Sequence, residues 1–155
     1  VGTVPAARQC TDSHAFVAAL ADTANALCRP ARLTFVLREN WQGPFLCAAP
    51  ELTRALENIL DNAVGHTPTG GTVTLDVSKA EDTLVFTVTD TGPGFTPEAL
   101  HKAGQFLYTD AARPCNGHQG LGLYLARSVA QAHGGKLVLA NTGTGAHVQL
   151  CLPMQ

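Results

Sequence analysis

The residues DTGPGF at positions 90–95 combine a carboxylate with two closely spaced glycines. They follow the apolar run LVFTV and precede the sequence TPEAL, which is typical of a helix start. Asp90 can only accept hydrogen bonds when it is ionised, and Gly92 and Gly94 would let the backbone come close to a bound group. The pattern predicts either a binding loop at a strand end or an ordinary Gly-Pro turn that closes the strand.

Two asparagines, Asn58 and Asn62, lie four residues apart in the sequence ENILDN. On a helix this spacing places both side chains on one face, about 6 Å apart along the axis. Amide groups beside a buried apolar stripe need hydrogen-bond or metal partners. The stripe predicted for this helix consists of Leu52, Ala55, Leu56, Ile59, Leu60 and Ala63. The alternative is a pair of solvated helix residues.

A third stretch, GHQGLGL at 117–123, places Gly117, Gly120 and Gly122 where a long helix is expected to begin. Free N–H groups and the positive end of the helix dipole make such a start an anion site that suits phosphates. Taken alone the signal is weak, because glycines also begin helices for packing reasons. The sequence holds neither a dinucleotide fingerprint nor a G-K-[ST] phosphate loop.

The surrounding sequence predicts the elements that must position these residues. Helices are predicted where apolar residues recur at helical spacing, at 12–28, 50–68 and 120–135, with a short helix after Thr96. Strands are predicted at 32–39, 44–48, 72–78, 83–89, 136–140 and 146–152, the last four as two antiparallel hairpins. Because helices and hairpins are segregated, we predict an α+β fold: a two-layer α/β sandwich with helices on one face of a mixed, mostly antiparallel sheet.

The composition fits one globular domain that spans residues 1–155. Hydrophobic residues make up 45%, charged residues 14%, and the net charge is −2 without a basic cluster, which argues against a nucleic-acid partner. No segment has the length of a membrane span. The five cysteines include no C-x-x-C pair and the six histidines have no ligand spacing, so we expect reduced thiols and no zinc site. The start, VGTVPAARQC, is unlike a signal peptide and is expected to continue from a longer chain.

In their order and spacing, the three stretches resemble the ATP-binding, catalytic domain of sensor histidine kinases, which belong to one superfamily with DNA gyrase. The family's N-x-x-x-N box is matched by NILDN, its D-x-G-x-G box by DTGPG and, loosely, its second glycine box by HQGLGL. The resemblance runs from about Leu33 to Pro153 and includes the closing GTGAHVQLCLP. It implies the Bergerat-type ATP-binding fold, which is a two-layer sandwich of the predicted kind.

The resemblance also implies a role for the DTGPG box. Asp90 would accept a hydrogen bond from the exocyclic amino group of adenine. Gly92 and Gly94 would let the backbone approach the base. The resemblance thus implies that the hexapeptide DTGPGF at 90–95 forms an adenine pocket.

For the N box, the resemblance implies a role in holding Mg²⁺. Asn62 would offer a carbonyl oxygen to this cation, which prefers oxygen ligands. Asn58 and Gln119 are implied as neighbours in the same coordination shell.

The segment 102–119 lacks periodicity, and by resemblance it is the ATP lid, expected to be mobile without nucleotide. Arg113 is its candidate phosphate contact. The helix start that follows, at Gly120, Leu121 and Gly122, would place backbone N–H groups on the phosphates.

Several positions depart from the family pattern. The lysine usual three residues after the second N-box asparagine is Gly65 here, so one cationic phosphate contact is missing. The pair of lid phenylalanines reads Ala103 and Phe106, and the threonine of the closing glycine turn is Ala146.

The resemblance implies a protein-histidine kinase domain that binds Mg-ATP and transfers the γ-phosphoryl group to a histidine on a separate dimerisation domain. His14 does not fit as that acceptor, because Ala15 follows it instead of an acidic residue. The implied partners are the dimerisation domain and a response regulator, in a homodimeric, membrane-anchored sensor whose cytoplasmic part includes this domain. Two alternatives stay open: a catalytically silent nucleotide-binding regulatory module, which Gly65 and Ala103 favour, and an anti-sigma-type protein serine kinase.

Overall fold

The computed structural model describes residues 7–97, 100 and 119–154. Within these ranges the elements follow one another as β1 (Gln9–Asp12), α1 (Ser13–Cys28), β2 (Thr34–Glu39), β3 (Pro44–Cys47), α2 (Ala49–His66), β4 (Thr72–Ala80), β5 (Thr83–Asp90), α3 (Gln119–Ala132), β6 (Lys136–Asn141) and β7 (Ala146–Pro153). The short helix expected after Thr96 is represented by helical backbone at Pro97 and Leu100, and the Leu100 N–H donates to the Thr96 carbonyl. Among the described residues, no helix is both long and apolar enough to span a bilayer.

Five strands form one sheet in the order β2-β4-β5-β7-β6. Only β2 and β4 run parallel, and the other neighbours are antiparallel. Alternate residues of β4, among them Val73, Leu75 and Val77, are buried towards the helices, while Thr74 and Asp76 line the open opposite face. The predicted α+β fold with a mixed, mostly antiparallel sheet is confirmed.

The sequence did not predict β1, which pairs with β3 in a separate two-stranded sheet. Its four residues, QCTD, offer no hydrophobic alternation that would indicate a strand. The following helix begins as predicted, because the Asp12 carboxylate accepts a hydrogen bond from the Ala15 N–H at 3.0 Å.

The helix α2 buries the predicted stripe, whose members are at most 2% exposed: Leu52, Ala55, Leu56, Ile59, Leu60 and Ala63. It ends at His66, two residues earlier than the sequence pattern suggested. Thr67 precedes Pro68, which disfavours helical backbone at the residue before it, and Thr67 is extended, with φ −95° and ψ 124°.

The helix α3 ends in a Schellman motif. Gly134 has φ +79°, its N–H donates to the Gln131 carbonyl, and the Gly135 N–H donates to the Ala130 carbonyl. The two glycines therefore close the helix, as their place at the end of the predicted range indicated.

His133 joins the end of α3 to the beginning of α2. Its Nδ1 lies 2.8 Å from the Val129 carbonyl, and the Ala48 N–H donates to its Nε2 at 2.9 Å. Because a carbonyl can only accept and an N–H can only donate, these partners fix a neutral ring with the proton on Nδ1. Both His133 and Ala48 are buried, so the ring satisfies a backbone donor that water cannot reach.

We expect His133→Ala to lower the free energy of unfolding by about 1–3 kcal/mol, because it leaves the buried Ala48 N–H without an acceptor. Urea denaturation monitored by circular dichroism measures the change. His14→Ala is the control, since the His14 side chain is 63% exposed and its pair with Glu39 is expected to contribute less than about 1 kcal/mol. Equal changes in the two variants would contradict the importance of the buried bond.

Candidate functional site

Asp90 ends β5 and is 3% exposed. Its Oδ1 accepts hydrogen bonds from the Gly92 N–H at 2.9 Å and from the Ala146 N–H at 3.3 Å. The first bond closes the turn after the strand, and the second comes from the beginning of the neighbouring strand β7. The carboxylate is therefore held in one orientation by backbone donors on two sides.

Two glycines of this loop pack against other parts of the chain at distances that exclude a side chain. A Cβ on Gly92 would lie 2.4 Å from the carbonyl oxygen of His66, at the end of α2. Gly94 has φ +81°, a left-handed conformation that favours glycine, and a Cβ there would lie 2.8 Å from Asn141 Oδ1. The DTGPG loop thus lies between the C-terminus of α2 and the β6–β7 hairpin.

The end of α2, the helix that carries Asn58 and Asn62, lies next to the DTGPG loop. His66 follows Asn62 by one helical turn, and its Nδ1 donates to the Asn62 carbonyl at 2.7 Å. Since the His66 carbonyl contacts Gly92, the second asparagine and the aspartate loop are brought together at the end of α2. Asn58 lies one turn earlier and is half-buried.

Asn62 is 4% exposed. Within the described part of the chain its side-chain amide makes no hydrogen bond to protein, although buried amides in folded proteins are normally paired. A buried amide oxygen of this kind suits a hard cation such as Mg²⁺. No group of three or more His, Cys, Asp or Glu side chains among the described residues could hold a metal ion.

The second glycine box begins α3 at Gln119, as its sequence predicted. The helix packs along α2 and thereby approaches the helix that carries the asparagines. Arg113 and most of the predicted lid, 102–119, lie outside the described residues, as do the side chains of Gln119, Gly120, Leu121 and Gly122.

Sequence reasoning missed three contributors to this loop: the His66 carbonyl, the Ala146 N–H and the Asn141 side chain. Two of them act through the backbone, which the residue type does not reveal. Asn141 stands before a Thr-Gly turn, where an asparagine reads as an ordinary turn residue.

Three cysteines among the described residues, Cys28, Cys47 and Cys151, are buried. Burial raises the pKa of the thiols of Cys28, Cys47 and Cys151. A contact with Thr11 partly opposes the shift at Cys47, and Lys136 does so at Cys151. A thiol with a raised pKa stays protonated and is a poor nucleophile at neutral pH.

Comparisons with known proteins show the family of the chain. Residues 47–155 match the family described as histidine kinase-, DNA gyrase B-, and HSP90-like ATPases. The sensor histidine kinase SpaK of Bacillus subtilis is 42% identical over 106 residues, which cover 67% of this chain and 23% of SpaK. The chain therefore spans about a quarter of that relative's length.

Solved structures show the same fold. A mycobacterial sensor histidine kinase, MprB, superposes with a TM-score of 0.80 at 23% identity, over 95% of this chain and 99% of that one. Full-length ShkA in complex with AMPPNP superposes with a TM-score of 0.85 at 22% identity, over 99% of this chain and 32% of ShkA. The fold is that of a histidine kinase catalytic domain. With the family match over most of its length, the chain belongs to the histidine kinase-, DNA gyrase B-, and HSP90-like ATPases.

We expect Gly145→Ala to destabilise the protein by about 1–3 kcal/mol, because its Cβ would overlap the Asp90 carbonyl and force β5 and β7 apart. The added Cβ would lie 1.9 Å from that oxygen. Gly143→Ala is the matched control in the same turn, since a Cβ there meets nothing within 4 Å. Thermal and urea denaturation of both variants test the expectation, and equal stabilities would refute it.

Proposed function

We propose that this chain binds Mg-ATP and delivers the γ-phosphoryl group to a histidine on a separate dimerisation domain. The observation that carries the proposal is the meeting of two boxes at the end of α2: the fixed carboxylate of Asp90 and the buried amide of Asn62. Membership of an ATPase family supports ATP as the nucleotide. The similar structure of ShkA, which is a complex with AMPPNP, supports the same choice.

Asp90 would recognise the base. Its Oδ1 already accepts from two backbone N–H groups, so the carboxylate is oriented before a ligand arrives. An oriented acceptor-only group selects a donor such as the amino group of adenine. The side-chain-free backbone of Gly92 and Gly94 would allow the base to approach the loop.

Asn62, with Asn58 and Gln119, would hold Mg²⁺ beside the phosphates. The buried Asn62 amide fits a cation that takes one or two protein oxygens and completes its shell with phosphates and water. The bound cation would neutralise phosphate charge. Arg113 and the N-terminus of α3 at Gly120, Leu121 and Gly122 would add positive charge around the same groups.

The transfer step needs no base from this chain. A neutral imidazole nitrogen of the acceptor attacks the γ-phosphorus, the bond to the bridging oxygen breaks, and ADP leaves. Hydrolysis is different, because an attacking water must lose a proton. Asn58 has no basic site at neutral pH, and Glu57 and Asp61 are each turned about 100° around the helix from the neighbouring asparagine.

The acceptor histidine is proposed to lie on a dimerisation domain of a homodimeric, membrane-anchored sensor that passes the phosphoryl group to a response regulator. His14 lies in the first turn of α1, remote from the DTGPG loop in the chain, and pairs with Glu39 at 3.0 Å. The silent regulatory module is the second candidate, and Gly65 favours it, because an exposed glycine occupies the position of a phosphate-binding lysine.

A radiolabelled ATP assay tests the proposal on the purified 155-residue chain, alone and mixed with the dimerisation domain of the full-length protein. We expect acid-labile labelling of the added domain, very slow phosphate release by the chain alone, and no label on His14. ATP binding without transfer would identify the silent module. Fast phosphate release by the chain alone, or label on His14, would overturn the mechanism.

We expect wild-type affinity for Mg-ATP to be micromolar or weaker, and Gly65→Lys to tighten it about two- to fivefold, as for a partly exposed ion pair of roughly 0.5–1 kcal/mol. Isothermal titration calorimetry measures the change. Gly65→Ala is the control, since it removes the helix-weakening glycine without adding charge. The gain should shrink as salt rises. Equal affinities of the lysine and alanine variants would rule out a missing phosphate contact.

A further inference from the structure

The side chain of Asn141 binds the backbone that follows the DTGPG box. Asn141 ends β6, and its Oδ1 accepts from the Phe95 N–H at 2.7 Å. Its Nδ2 donates to the Phe95 carbonyl, also at 2.7 Å. One carboxamide therefore satisfies both backbone groups of one residue, as a neighbouring strand would, across 46 positions of sequence.

The same carboxamide also contacts the second glycine of the box. A Cβ on Gly94 would lie 2.8 Å from Oδ1 and 3.2 Å from Cγ of Asn141. Gly94 has a left-handed backbone conformation, and the next residue, Phe95, forms its backbone hydrogen bonds with Asn141 at the end of β6. Two features therefore fix the backbone at Gly94: its left-handed conformation and the close contact with the Asn141 side chain.

The β6–β7 hairpin holds the loop at both of its ends. At the Asp90 end, Ala146 donates its N–H to the carboxylate. At the Phe95 end, Asn141 holds the backbone. The turn between these two residues is closed by the bond from the Thr142 N–H to the Gly145 carbonyl at 2.8 Å, so the two supports are joined rigidly.

We propose that Asn141 is a positioning residue of the nucleotide site, which fixes the backbone of Gly94 and Phe95 and thereby the end of the loop that receives the base. The proposal rests on the proposed function, because it presumes that this loop binds a nucleotide. Asn141 acts through Phe95 and need not touch the ligand. A loop that is already ordered loses less conformational entropy when the base binds, and its donors and acceptors stay aligned for one base rather than another.

The alternative is that Asn141 only stabilises the fold. Asn141 is exposed, but its two bonds run to the backbone of Phe95, whose side chain is buried in the core, so the two roles have to be separated by experiment. A purely stabilising bond would change the melting temperature and leave the affinity of the folded protein unchanged. A positioning bond changes affinity and base selectivity even when every molecule is folded.

The test compares Asn141→Ala with Asn40→Ala by calorimetric titration with Mg-ATP and Mg-GTP, well below both melting temperatures. Asn40 is the matched control, since its Nδ2 donates to Asp76 Oδ2 at 2.9 Å on the open face of the sheet. We expect Asn141→Ala to weaken ATP binding about tenfold, in line with the loss of two hydrogen bonds, and to reduce the preference for ATP over GTP. Asn40→Ala should bind as the wild type does.

A double-mutant cycle with Gly94→Ala tests the mechanism. Because the added methyl would displace Asn141 Oδ1, Gly94→Ala should weaken ATP binding less in the Asn141→Ala background than in the wild type. Unchanged ATP affinity and selectivity in Asn141→Ala, or strictly additive losses in the cycle, would overturn this inference alone. A wild-type chain that binds no ATP would overturn the proposed function and, with it, this role of Asn141.

Discussion

The contact of the Gly145 backbone with Asp90 is the constraint on which the candidate site depends. A single methyl group at residue 145 would lie 1.9 Å from the Asp90 carbonyl oxygen, so the strands β5 and β7 can approach only because this residue is a glycine. The approach carries the Ala146 N–H to the Asp90 carboxylate. The end of the β5–β7 pair and the orientation of the proposed base-recognition group therefore depend on the same close backbone approach.

The helices complete the arrangement from the other side. The C-terminus of α2 presents the His66 carbonyl to Gly92, and Asn62 lies one turn back with its amide buried. The opposite end of α2 is fixed by His133, which accepts from the Ala48 N–H. A helix held at its beginning by the end of α3 and packed at its last turn against the loop after β5 has little freedom to slide. Precise placement of Asn62 therefore depends on contacts at both ends of the helix, several turns apart.

The sequence predicts features that depend on neighbouring residues better than features that depend on residues far apart in the chain. The stripe of α2 follows from local periodicity, and every predicted position is buried. The DTGPG stretch by itself left a binding loop and an ordinary Gly-Pro turn open, and only its order and spacing with the other two stretches led to the prediction of an adenine pocket. The strand β1 was missed, because its pairing with β3 rests on a partner that is distant in sequence and not on any pattern of its own. Asn141 was missed for the same reason: only the fold brings it to Phe95.

The candidate site has two parts, which would bind different parts of the nucleotide. The described half, made of α2, the DTGPG loop and the β6–β7 hairpin, is tied together by buried backbone contacts and short hydrogen bonds, and it would bind the base and the cation. The phosphate side would be supplied by the lid and by the start of α3, where the sequence has glycines and a single arginine, Arg113. The base site would be rigid, whereas the phosphate site would be completed by the lid and the start of α3. A nucleotide could then bind before phosphoryl transfer is possible. Since Asn58 cannot activate water, the bound nucleotide would then wait for a partner that brings its own nucleophile, and the proposed histidine acceptor meets that requirement.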